Sequence, residues 1–285
     1  MLRAEPGKKL YAGDFANIEG RVLAWLAGEV WKLEAFRAFD AGTGPDLYLV
    51  SASRIYHKPV ESYNKKSPER QIGKTAELAL GYQGGVGAFQ SMAKNYGCRV
   101  SDAEADGIKV AWRNAHPATK RYWYALEAAA VQAIDNPGLT FQAGASYAQV
   151  RFRVVGSFLW CAIPSGRALC YPYPYLEEYE SEWGLKKEIR YKSVGLNYQW
   201  GVCSTYGGSL AENITQAVAR DILAEAMLRL DAAGWPIMLH VHDEIVAESH
   251  TGNLAEYLAI MKQAPPWAAG LPIAVEGWTG IHYRK

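Results

Sequence analysis

The stretch Pro236-Ile-Met-Leu-His-Val-His-Asp-Glu-Ile-Val-Ala-Glu248 decides the fold. Two apolar runs, Pro236–Val241 and Ile245–Glu248, flank the polar triplet His242-Asp243-Glu244. Runs of strand length on both sides of a short polar break read as a β-hairpin. Far upstream, Lys8-Lys-Leu-Tyr-Ala-Gly-Asp14 reads as a short strand ending in an acid. Two acids at the ends of neighbouring strands can hold divalent cations, and hard oxygen ligands suit Mg²⁺. Two such ions about 3.5–4 Å apart clamp the attacking and leaving oxygens of a phosphoryl transfer.

A third segment fits that chemistry. Ser67-Pro68-Glu69 is a helix start, with Ser as cap, Pro in the first turn and Glu at the positive end of the dipole. The helix is expected to run to about Tyr82 and stop at Gly84-Gly85. Arg70, Lys74, Leu78 and Tyr82 are four residues apart. Each step drifts only about 40° around a helix, so all four share one face. Arg70 and Lys74 fall in the first two turns, where the dipole and free N–H groups favour phosphate. An Arg fork and a Lys point charge suit a triphosphate, and Tyr82 offers a ring to a base or sugar.

Around these segments the chain alternates helical and strand patterns. Helices are expected from Asn17 to about Ala27 with Gly28 as the stop, then over about 30–39, 46–56, 101–115, 117–134, 209–233 and 253–263. Residues 140–175 read as strands with a turn at Pro164–Arg167. Residues 176–193 are charged and poorly patterned, and read as an exposed insertion; Pro-rich and Gly-rich loops follow the last helix. Glu77 and Lys65-Lys66 read as solvated charges, Arg21 as a structural ion pair, and the cysteines as small core residues. His116 and His240 receive no role.

The chain has 285 residues, 30 Lys+Arg against 29 Asp+Glu, and 49% hydrophobic residues. That composition is globular, not disordered. A net charge of +1 lacks the basic excess usual in nucleic-acid binders, so useful positive charge must be local. No Cys pair has C-x-x-C spacing, and the N-terminus has no apolar core of a signal peptide, which points to a reduced, cytoplasmic protein. No apolar run approaches the ~20 residues that cross a bilayer.

Three ordered segments carry a family resemblance. Asp14-Phe-Ala-Asn-Ile-Glu-Gly-Arg21 resembles motif A of the family A (DNA polymerase I-like) DNA polymerases. Arg70-Gln-Ile-Gly-Lys74-Thr-Ala-Glu-Leu78-Ala-Leu-Gly-Tyr82 resembles motif B, and Val241-His242-Asp243-Glu244 resembles motif C. Gly166-Arg167 with Tyr171-Pro172, and Gln216-Ala-Val-Ala-Arg-Asp221, resemble the flanks and Gln-containing turn of the last palm helix. Gly81-Tyr-Gln-Gly-Gly85 is closer to phage members.

The resemblance implies an α/β (α+β) fold. A palm with an antiparallel sheet would come from residues 1–40 and 196–285, and mostly helical fingers with connecting strands from 41–195. It implies template-directed DNA synthesis with two Mg²⁺ ions, primer–template DNA and deoxynucleotides as partners, and no membrane. Asp14, Asp243 and the Phe15 carbonyl are implied metal ligands. Glu244, next to Asp243 in a strand, points to the opposite face; it is an outer ligand or a salt-bridge partner. Arg70 and Lys74 are implied to grip the triphosphate, with Lys74 able to donate a proton to pyrophosphate. Leu78 and Tyr82 would face the incoming nucleotide, and Glu19 would pack on Tyr82 and exclude a ribose 2′-OH. Gln216 and His242 would touch primer–template.

Three departures qualify the match. Leu78 stands where the family usually has an aromatic residue. Gly20 replaces a larger apolar residue and is expected to loosen the wall beside Glu19. Asn213 is three residues before Gln216, where the family spacing is four. Motif A begins after only 13 residues, so the chain is expected to be a phage-type replicase fragment or to have its thumb and exonuclease on a separate chain, with weak duplex binding by this one. Single-subunit RNA polymerases share the palm, but Glu19 and Glu244 argue against them. A non-catalytic or partner-dependent nucleic-acid-binding module of a split polymerase is the other reading.

Overall fold

The computed structural model describes residues 2–181, 184–195 and 198–284. The expected start of the second palm segment, Leu196, lies outside the described residues, as do Glu182 and Trp183 of the expected insertion. In chain order the elements are β1 (Lys9–Phe15), α1 (Ile18–Ala27), α2 (Val30–Asp40), α3 (Leu47–Tyr56), α4 (Pro68–Leu80), α5 (Val86–Asn95), α6 (Asp102–Ala115) and α7 (Pro117–Asp135). There follow β2 (Thr140–Ala143), β3 (Val150–Val155), β4 (Phe158–Ala162), β5 (Ala168–Pro172), β6 (Tyr175–Ser181), β7 (Gly184–Val194) and β8 (Trp200–Thr205). The chain ends with α8 (Gly207–Ala232), β9 (Ile237–Val241), β10 (Glu244–Ser249), α9 (Leu254–Met261) and β11 (Val275–Gly280). Among the described residues no helix is long and apolar enough to cross a membrane.

The fold is α+β and its strand pairs are antiparallel. It divides into two compact units, Met1–Val22 with Gln216–Lys285, and Leu23–Thr215. The first unit is built on a four-stranded sheet in the order β11-β1-β10-β9. One face is covered by α9, whose approach requires glycine: a Cβ on Gly13 would lie 2.4 Å from Met261 Sδ, and one on Gly277 2.6 Å from Leu258 Cδ2. Tyr257, fully buried, donates its hydroxyl to the Ile245 carbonyl at 2.8 Å. Its ring and that of Tyr11 each lie 5.0 Å from Trp235. The other face packs Leu10, Ala12 and Val246 against Leu239, Trp278 and Tyr283. Full burial of a side chain such as Leu10 or Val246 contributes about 1.5–3 kcal/mol.

The second unit holds the helices α2–α7 and two sheets, β2-β3-β4-β5 and β6-β7-β8. Local signals explain most boundaries. Asp46 accepts from Tyr48 N and Leu49 N and starts α3; Ser101 and Glu104 form a capping box on α6; Gly28, at φ +73°, ends α1. Ser67 precedes Pro68 as expected, but its Oγ accepts from Asn64 N at 2.8 Å and makes no cap bond to α4.

Three expectations are corrected. The expected exposed insertion over 176–193 is exposed, but residues 176–181 and 184–193 supply most of β6 and β7, whose exposed charges pair across the ladder, Arg190 Nε donating to Glu177 at 2.6 Å. Helix α5 was not expected after Gly84-Gly85. Gly costs about 1 kcal/mol in a helix interior, so Gly87 hides the pattern, and burial of Phe89 and Ala93 supplies the stability. The last Gly-rich segment contains β11, not only loop.

Candidate active site

Asp14 is the penultimate residue of β1. It lies directly opposite Glu244 of β10 on one side and Glu276 of β11 on the other. Opposed residues of antiparallel strands point to one face, with Cβ atoms about 4.5–5.5 Å apart. Three carboxylates therefore form a row across three strands, lining a cleft of about 380 Å³ with Trp278 and Arg284. Like charges directly opposed destabilise a sheet; among the described residues no group of three or more His, Cys, Asp or Glu is placed to hold a metal ion. Glu244 is only 4% exposed and accepts a 2.6 Å hydrogen bond from the Tyr283 hydroxyl. That bond, with burial and the charges of Glu244 and Asp14, pushes Tyr283 up to about 12. The sequence reading took Glu244 as part of the hairpin tip, but it is the first residue of β10. It missed Glu276, whose only signal was a short alternating run after Pro272.

The tip itself is a two-residue turn, because Val241 pairs with Glu244. His242 adopts φ +54°, a left-handed conformation that costs a non-glycine residue about 1–3 kcal/mol and gathers at functional sites. Asp243 follows, and its carbonyl accepts from Phe15 N at 3.2 Å, which ties the turn to the end of β1. Asp243 and His242 line a second cleft, of about 300 Å³, with Glu19, Gln216 and Arg220. The guanidinium of Arg220 lies 3.3 Å from Nδ1 of His240. A Cβ on Gly20 would lie 2.5 Å from Asn17 Oδ1, and Asn17 is itself left-handed at φ +53°. Arg21 is 2% exposed; its Nε donates to the Ala16 carbonyl at 2.8 Å.

The cationic face belongs to the second unit. Arg70 Nε donates to Asp46 Oδ2 at 2.8 Å, so the residue that caps α3 also holds the first turn of α4. Lys74 Nζ stands 4.7 Å from the Tyr96 ring centroid, a cation–π distance. Leu78 is 40% exposed. Close packing of α3 and α4 depends on Gly73, where a Cβ would lie 2.3 Å from the Tyr48 carbonyl oxygen. Side chains also satisfy the end of α4. Trp123 Nε1 donates to Gly81 O at 2.9 Å, and Arg113 to Gly84 O at 3.1 Å. Gln83, at φ +65°, accepts from Gly208 N at 2.9 Å. These bonds hold the backbone on either side of half-buried Tyr82.

Glu77 is the main correction within this helix. It is not a solvated charge: its side chain is 5% exposed and pairs with the 3%-exposed Lys32. It also accepts from Ser51 Oγ at 2.6 Å and Trp112 Nε1 at 3.0 Å, and lies 3.1 Å from His116 Nε2. Burial opposes ionisation of Glu77, but Lys32 and His116 outweigh it and hold the carboxyl well below the usual range. His116 thus belongs to a buried network. Of the cysteines only Cys161 is buried; Cys170 is exposed and Cys98 and Cys203 are half-buried. Asn213 donates to the Tyr171 hydroxyl at 3.3 Å.

The first unit is an antiparallel sheet with acids about its hairpin, and the second is a helical unit with a basic helix face; together they are an α+β fold. The structure is similar to the POL domain of Pol1 from M. smegmatis, solved in complex with DNA primer-template and dNTP; the TM-score is 0.58 at 19% identity, over 98% of this chain and 41% of that one. In sequence the chain is 42% identical, over 283 residues, to the DNA polymerase of Bacillus phage SP02, covering 98% of this chain and 42% of the relative. It is also 33% identical over 86 residues to DNA polymerase I of Chloroflexus aurantiacus, covering 30% of this chain and 8% of that one. No family model matches. In sequence this chain is thus similar to a phage DNA polymerase and, over a shorter stretch, to a DNA polymerase I, and it spans less than half the length of these relatives.

Proposed function

We propose that this chain carries the nucleotidyl-transfer centre of a template-directed DNA polymerase, with the first unit as palm and the second as fingers and connecting strands. The observation that supports it is the register that sets Asp14 opposite Glu244 while the Phe15 amide binds the Asp243 carbonyl. Asp14, Asp243 and the Phe15 carbonyl would hold two Mg²⁺ ions, with Glu244 and Glu276 opposite Asp14 in the sheet. When bound, the ions neutralise phosphate charge and favour the ionised primer 3′-OH.

Each residue then has a defined task. Arg70 and Lys74 bind the phosphates of the incoming deoxynucleotide, and Asp46 keeps the Arg70 fork in place. Tyr82 and Leu78 meet its base and sugar, while Glu19 disfavours a 2′-OH. His242 and Gln216 contact primer–template. The primer 3′-oxygen bonds to the α-phosphorus, the bond to the pyrophosphate oxygen breaks, and Lys74 gives that leaving group a proton. Rate enhancement comes from alignment and charge neutralisation.

The test is primer extension with Mg²⁺, run with deoxynucleotides and separately with ribonucleotides. Extension by the wild type with deoxynucleotides only, lost in Asp243→Ala, supports the proposal. Extension that survives Asp243→Ala, or a preference for ribonucleotides, overturns it. So does a wild-type chain that neither extends a primer nor binds a deoxynucleotide in the presence of Mg²⁺.

A further inference from the structure

We propose that the outer face of the sheet β2-β3-β4-β5 is a platform for single-stranded nucleic acid: unpaired bases stack on Trp160, Phe158 and Tyr173, while Arg151, Arg153 and Lys192 meet the phosphates. The surface lies within the second unit and outside all three motifs. The inference does not depend on the nucleotidyl-transfer reading.

The face follows from a strict alternation. In β3, Val150, Phe152 and Val154 are buried while Arg151, Arg153 and Val155 are exposed; in β4, Leu159 and Cys161 are buried while Phe158 and Trp160 are exposed. The register sets Val155 opposite Phe158 and Arg153 opposite Trp160, and opposed residues of antiparallel strands point to one face. From Thr140 and Gln142 of β2 to Cys170 and Pro172 of β5, the described residues of this face include two arginines and no acid.

The rings form a connected row. The Phe158 centroid lies 5.7 Å from that of Trp160 and 6.5 Å from that of Tyr173. Lys192 Nζ stands 5.1 Å from the Tyr173 centroid, a cation–π distance. Tyr173 is left-handed at φ +51°, and its N–H donates to the Ser157 carbonyl at 2.7 Å, which fixes it beside the turn between β3 and β4. All three aromatic residues keep more than a third of their surface open to solvent. At the Tyr173 end a cavity of about 400 Å³, lined by Pro137, Val154, Ser157 and Pro174, gives a recess that a splayed base can enter.

Exposed rings favour any apolar partner, and the charge selects among partners. Among the described residues Arg151 and Arg153 make no ion pair. The acids of the adjoining sheet, Glu177 and Glu188, are both held by Arg190, at 2.6 and 2.7 Å. Cations therefore surround the rings without competing carboxylates, in a chain whose net charge is only +1. A polyanion with open π faces matches both features. Only a single strand has such bases to offer, since a duplex stacks its bases on one another, and stacking on aromatic side chains is indifferent to sequence.

The experiment measures binding of a fluorescein-labelled oligothymidylate of ~12 nucleotides, within the site sizes of single-strand platforms, to the full chain by anisotropy. It is run in EDTA without nucleotide, so the result is independent of metal and of catalysis. Wild type is compared with Trp160→Ala, Trp160→Phe and the double variant Arg151→Gln/Arg153→Gln, each with a thermal melt. Trp160→Ala should weaken binding by at least about 5-fold, the low end of what one stacked base contributes, and Trp160→Phe should restore most of it. The double variant should make the dependence of log K on log salt shallower by about 1.4, the share of two phosphate contacts on a single strand. A wild-type chain that binds no oligonucleotide, prefers a duplex of equal length, or binds no better than the variants overturns the proposal. So does a chain that sediments as a dimer and is dissociated by Trp160→Ala, because the face then serves a second copy. Should the variants fail to fold, alkylation of Cys170, exposed and directly opposite Trp160, is followed in the unaltered chain. Saturating oligonucleotide should slow it, and an unchanged rate overturns the proposal.

Discussion

In the sheet β11-β1-β10-β9 three carboxylates stand side by side; around α4 a single carboxylate, Glu77, is surrounded by donors. The first arrangement sets like charges opposite one another across the ladder, which opposes the pairing. The second is satisfied within the protein, because Lys32, Ser51, Trp112 and His116 meet one buried anion. In one region acids face acids, and in the other an acid is met by donors. Each region nevertheless contains both kinds of group. Tyr283 steadies one acid of the row, and Arg70 shares its Asp46 with the cap of α3.

Variants can break this contrast. The largest effect is expected at Asp243: Asp243→Ala should lower the primer-extension rate by at least ~10²–10³-fold, the scale of losing one principal electrostatic stabiliser, with little change in urea unfolding. Glu77→Gln should do the reverse. It strands the buried ammonium of Lys32 and should cost about 3–5 kcal/mol in urea unfolding. An unfolding free energy within about 0.5 kcal/mol of wild type would remove Glu77 from its structural role.

The pH dependence sharpens the same point. The folded Glu77 carboxyl titrates below its ordinary value of 4.5, so its contribution is fully present above that value. It is lost as pH falls toward the lower folded value. The stability gap between wild type and Glu77→Gln should therefore narrow below about pH 4. A gap that widens in acid would reverse the assignment. In the row, Glu276→Gln relieves a like-charge contact and should stabilise the metal-free chain by about 0.2–1 kcal/mol, an advantage that disappears in saturating Mg²⁺. At the far end of α4, Leu78→Phe should change the ratio of kcat/KM for dideoxynucleotide over deoxynucleotide by up to about 10-fold, or about 1.4 kcal/mol. Equal ratios in the two forms would show that residue 78 does not read the sugar.

The acids and cations were legible in the sequence because each sits on an element with a strong local signature. Asp14 ends an apolar strand, Asp243 breaks two apolar runs, and Arg70 and Lys74 follow a Ser-Pro-Glu start. What stayed hidden was whatever depends on a partner distant in the chain. Glu77 carries the same local pattern as a surface glutamate, and only the arrival of Lys32 and His116 makes it internal. Likewise β6 and β7 have few apolar residues to alternate, and their order comes from the ladder.

By itself the sequence determined the hairpin of β9 and β10, the strand β1, the basic face of α4 and the similarity to DNA polymerases. Those depend on period, caps and turn residues, which act over a few positions. Tertiary structure alone decided that Glu276 joins Asp14 and Glu244, that Tyr283 reaches Glu244, and that Glu77 is buried. Strand register and burial bring together residues more than 200 positions apart, such as Asp14 and Glu244, and no local propensity encodes such pairings.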